Sequence, residues 1–118
     1  MEPIPYYYDS INRNAITVKP KQPLFDWVNS IYPEDPVNAT DAANEGTVYL
    51  VRERDNNKKI ENWLKKNFDN IFQNELNNWH TEEKDWPQKR TYSQFTRWFV
   101  FEIHSMVLDL EDKPVIKD

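Results

Sequence analysis

NKKIENWLKKNFDNIFQNELNNW, residues 57–79, is the stretch on which the fold turns. Its apolar side chains, Ile60, Trp63, Leu64, Phe68, Ile71, Phe72, Leu76 and Trp79, recur at spacings of three and four, so all of them share one stripe of an α-helix. Glu61, Lys65 and Asp69 stand at i, i+4 spacing on the other face, where such pairs add about 0.2–0.5 kcal/mol each. Asp55, Asn56 and Asn57 are all residue types that cap a helix N-terminus. The pattern predicts one helix over 57–79, with Trp63, Phe68 and Phe72 turned toward a core.

Upstream, Thr47-Val48-Tyr49-Leu50-Val51-Arg52-Glu53 follows the only glycine, Gly46, and reads as a strand because β-branched and aromatic side chains suit a pleated surface. Before it, residues 34–45 carry Pro, Asn, Asp and Ala without periodicity, which predicts a mobile loop outside the core. Pro23 suits the first turn of a helix, and Leu24, Trp27, Val28 and Ile31 follow on one face until Pro33 ends it. Ala15-Ile16-Thr17-Val18 reads as a strand stopped by Pro20. Residues 1–13, with Pro3, Pro5 and the run Tyr6-Tyr7-Tyr8, read as an N-terminal arm against a single domain over 14–118.

Downstream, His80 to Arg90 is a polar connection interrupted by Trp86-Pro87. Tyr92, Phe95, Trp98 and Phe99 suit a short helix with Thr91 or Ser93 at its start. Phe101 to Leu110 fits either state, its β-branched content and internal Ser and Asp favouring a last strand over a helix. The expectation is an α+β fold in β-α-β-α-α-β order, a small three-stranded mixed sheet covered on one face by helices. Its first β-α-β is expected to be a right-handed parallel crossover.

Composition narrows the functional classes. A chain of 118 residues with 38% hydrophobic side chains builds one modest core, much of it aromatic. The net charge of −5 repels phosphate and argues against nucleic acid as a partner, while favouring a protein with a basic surface. The absence of cysteine excludes disulfides, thiolate metal sites and a cysteine nucleophile, and fits a reducing compartment. With no apolar run of about 18 residues and no basic-then-apolar N-terminus, the expected location is the cytoplasm, away from membranes.

A single glycine builds neither a dinucleotide fingerprint nor a phosphate loop, and no Gly-x-Ser-x-Gly elbow is present. No catalytic residue, metal site or cofactor is therefore assigned. Four residues are candidates for binding. Trp86 and Arg90, in Trp86-Pro87-x-x-Arg90, offer an aromatic platform beside a guanidinium, unless Trp86 simply anchors its loop to the core. Glu102 and His104 share one face of an extended strand, and with His80 and Glu83 they would hold a divalent metal if the connection folded back onto them. The plainer reading makes His104 a half-buried structural histidine and His80 a cation at a helix C-terminus. Asp109 reads as a paired buried carboxylate or a strand end.

Lys19-Pro20-x-x-Pro23, Thr47-Val48-Tyr49-Leu50, Trp86-Pro87-x-x-Arg90, Trp98-Phe99 and Glu102-x-His104-Ser105-Met106-Val107-x-Asp109-Leu110 resemble a family of short bacterial proteins with no assigned activity. The resemblance spans most of residues 11–116, is most specific at His-Ser-Met-Val-x-Asp-Leu, and implies a bacterial cytoplasmic origin without catalytic residues. The functional expectation is a small acidic, non-enzymatic interaction protein, an adaptor or inhibitor of a basic partner. Its rival is a metal-binding protein or enzyme using His104 and Glu102.

Overall fold

The computed structural model describes residues 10–40, 42 and 45–117. The tyrosine-rich part of the expected arm, Tyr6 to Tyr8, lies outside them. The elements run β1 (Arg13–Pro20), α1 (Gln22–Ile31), β2 (Thr47–Arg52), α2 (Asn57–Trp79), a 3-10 turn (Glu83–Asp85), α3 (Tyr92–Trp98) and β3 (Phe99–His104). This is an α+β fold in the expected element order.

The predicted helix over 57–79 forms with those limits. Asn56 caps it, its side chain accepting from the Lys59 amide at 2.9 Å. Ile60, Leu64, Ile71, Phe72 and Leu76 are buried, while Trp63 and Phe68 lie half-buried along the rim of the core. Thr91 caps α3 in the same way through the Gln94 amide at 3.1 Å. α1 has no side-chain cap, and Pro23 in its first turn removes one of the amides that would otherwise lack a partner.

The sheet differs from the expected mixed one. Its order is β2-β1-β3 and both pairings are antiparallel, so the first β-α-β is not a parallel crossover. The long connection explains the difference. α1 carries the chain away from the end of β1, and residues 32–46 bring it back, so that Thr47 enters opposite Val18 near the end of β1. That segment is also not outside the core. Ala42 is buried, Val37 and Ala39 pack against the core, and the Asn29 side chain clasps Val37 through its amide (2.7 Å) and carbonyl (3.1 Å). Small apolar residues anchor a loop without leaving a periodic trace.

The last strand starts earlier and ends sooner than the run 101–110 suggests. Phe99 is paired with Pro20 and His104 with Ala15. Beyond His104 only a thin extension follows, with the Ile11 amide donating to the Val107 carbonyl at 2.8 Å and a bridge between Ser10 and Leu108. Buried Asn14 stitches the end of the sheet, donating to the Ser105 carbonyl (2.9 Å) and accepting from the Arg54 amide (2.7 Å).

All helices lie on one side of this sheet. Ile16, Val18, Val51 and Phe99 point to that side and meet Leu24, Phe25 and Val28 of α1, the α2 stripe and Phe95 of α3. Phe72 is the hub, edge-on to Phe99 at 5.3 Å between ring centres and tilted against Phe95 and Trp98. Such pairs add about 0.5–1.5 kcal/mol each beyond the area they bury.

Candidate functional site

The other side of the sheet has no covering layer among the described residues. Alternation places Val48 and Leu50 of β2, Ala15, Thr17 and Lys19 of β1, and Val100, Glu102 and His104 of β3 on that side. An antiparallel sheet with one wet face ordinarily presents polar side chains there. Here Val48 is 62%, Leu50 53% and Val100 46% exposed. Register sets Leu50 and His104 on either side of Ala15, and Val48 and Glu102 on either side of Thr17. This face therefore carries exposed apolar side chains on both edge strands, Val48 and Leu50 on β2 and Val100 on β3 opposite Lys19, among Arg52, Glu102 and His104.

Glu102 and His104, predicted as a pair, are brought together. His104 Nε2 stands 3.8 Å from Glu102 Oε2 and 3.3 Å from Thr17 Oγ1. With Thr17, Lys19 and Val100 they line a shallow hollow of about 240 Å³. Both are exposed, so the hollow can offer hydrogen bonds to a partner. His80 and Glu83 do not join them, and no group of three His, Asp or Glu side chains with metal-binding geometry occurs among the described residues. A zinc site needs three or four protein ligands, which the expected cluster does not supply.

Trp86 and Arg90 are held inside the structure. Trp86 is buried in the core, its indole N–H donating to the His80 carbonyl at 2.8 Å. Arg90 forks onto Asp69 of α2 (2.6 and 3.2 Å) and donates to the Pro87 carbonyl at 2.7 Å. The Asp69 carboxyl is held below its ordinary range, chiefly by that hydrogen bond, with burial opposing. Asp109 is exposed and accepts from the Glu111 amide at 3.0 Å, which makes it a turn residue after the sheet.

Two polar clusters escaped sequence reading. His80 closes α2 and sits between Tyr32, whose phenol meets Nδ1 at 2.8 Å, and Asp85, whose carboxylate meets Nε2 at 2.8 Å. It ties α1, α2 and the 3-10 turn together. Glu75 is the second. It lies within the apolar run of α2, is only 4% exposed, and accepts at Oε2 from Thr47 Oγ1 (2.9 Å) and from the Tyr49 phenol. The phenol is pushed well above its ordinary value, first by burial and then by the carboxylate beside it. Tyr32, Thr47 and Tyr49 are all distant in sequence from the groups they meet, so no local spacing announces those contacts.

No family model matches this chain, and no curated protein or solved structure is similar enough to count as a relative. Among the described residues no helix is long and apolar enough to cross a membrane.

Proposed function

We propose that this is a small acidic, non-enzymatic interaction protein of the bacterial cytoplasm, an adaptor or inhibitor that docks a basic protein partner on the open face of its sheet. The observation that carries the reading is the exposure of Val48, Leu50 and Val100 at positions where a solvated sheet face carries polar residues. The net charge of −5 belongs to the molecule as a whole and favours the approach of a basic partner, while the face itself contributes apolar contact through Val48, Leu50 and Val100. The test is capture of a basic partner by the tagged protein, compared with Leu50→Lys and Val100→Lys. Both variants should keep the melting temperature and lose the partner, and capture should weaken as salt rises. Capture undiminished in both variants would sink the proposal.

The competing reading, a metal-binding protein or enzyme, rests on the approach of His104 to Glu102. Stoichiometric zinc or manganese in the purified protein, lost in His104→Gln, would put that reading first.

A further inference from the structure

On the helix side of the sheet, away from the open face, lies a cleft of about 390 Å³ lined by Pro20, Glu45, Gly46, Thr47, Glu75, Asn78 and Trp79. Glu75 sits within it. Its Oε2 is occupied by the hydroxyls of Thr47 and Tyr49, and Asn74 fixes the phenol in turn by donating to Tyr49 Oη at 2.8 Å. Its Oε1 accepts from no described residue. The one fully buried side-chain atom without a partner among them is Gln94 Oε1, so Glu75 Oε1 looks out into the cleft. Glu75 is only 4% exposed, and a cation at Oε1 would add to the two neutral donors at Oε2 in offsetting its lost hydration. None of the ion pairs among the described residues includes it.

We propose that this cleft binds an alkylammonium group, its charge on Glu75 Oε1 with Glu45 at the mouth and its alkyl chain along Trp79 and Pro20. No basic side chain lines the cleft. Lys19 packs its side chain against Gly46, but its register in β1 assigns it to the open face of the sheet. Trp79, fixed edge-on against Phe25 at 5.8 Å, offers an indole wall of the kind that attracts an ammonium. Calcium takes six to eight oxygen ligands, more than two carboxylates and an amide supply, and hydrated magnesium is told apart by direct titration. An ammonium needs only a few acceptors around its three donors, and the cleft supplies them.

The group has two sources, a free amine or the lysine side chain of a protein. Titration calorimetry with n-butylamine and, separately, with Nα-acetyl-lysine methylamide distinguishes them, and magnesium chloride at matched ionic strength is the control. We expect saturable binding of at least one amine. Glu75→Gln, which keeps an oxygen for Thr47 and Tyr49, should weaken it by about tenfold or more, and Glu45→Gln by less. If Glu75→Gln does not fold, the exposed Glu45→Gln decides by the same comparison. Binding of the free amine alone, or of the lysine amide alone, would each support the site and name its source. No saturable binding by the folded wild-type protein, equal heats from magnesium, or binding unchanged in the folded variants would overturn it.

Discussion

The two faces of the sheet are built from the same three strands and from alternate residues of each, yet they do opposite things. On the helix side, Ile16, Val18 and Phe99 vanish into an aromatic core. On the other side, Val48, Leu50 and Val100 remain in water. Strand chemistry is similar on both, so β-propensity does not distinguish them; the covering layer does. Stability is concentrated on one face and spare apolar surface on the other.

Mutations should expose this asymmetry. The largest effect is expected from Phe72→Ala at the aromatic hub, a loss of about 3–5 kcal/mol in urea unfolding. Phe68→Ala, at the half-buried rim against Tyr92 and Phe95, should cost less, about 2–3 kcal/mol, and still lower the melting temperature clearly. A smaller loss follows acidification. Arg90 lowers the Asp69 carboxyl from its ordinary value of 3.8, so the pair stabilises the fold above that range. That contribution disappears as pH falls through the lowered value. Because the Asp69 side chain is 42% exposed, it amounts to about 1 kcal/mol, and Asp69→Asn should remove that part of the acid sensitivity.

Tyr49 gives the reverse dependence. Its phenol is raised above 10.0, so its share of stability is complete below that pH and fades as pH climbs beyond it. In Tyr49→Phe, thermal unfolding should be less sensitive to alkali. Smallest of all is Lys65→Ala on the solvated face of α2, expected to change stability by less than about 0.5 kcal/mol. A large loss there would contradict the placement of the helix stripe.

Periodicity made α2 legible from its own residues because one face of a helix records burial every three or four positions. The same logic found α1, whereas β1 and β2 were legible from their β-branched and aromatic residues. Strand direction was not legible, because it depends on where residues 32–46 return the chain, and Val37, Ala39 and Ala42 are too small and irregularly spaced to reveal that return. The end of β3 was misplaced because Met106, Leu108 and Leu110 continue an apolar pattern past His104, where the ladder gives way to the single bridge between Ser10 and Leu108. At the candidate site, Glu102 and His104 were legible as a pair from their i, i+2 spacing, while Thr17 beside them was not. Glu75 was hidden for the opposite reason. A lone carboxylate in a helix reads as solvent-facing until Thr47 and Tyr49 are placed against it.

The most direct measurement compares two neighbours on β3. Phe99 and Val100 are adjacent in sequence, with Phe99 buried under the helices and Val100 on the open side. Urea unfolding of Phe99→Ala should show a loss of about 3–5 kcal/mol, and Val100→Ala a change of less than about 0.5 kcal/mol. A substantial loss in Val100→Ala would mean that the second face is covered in the folded protein, and it would contradict the open surface on which the proposed function rests.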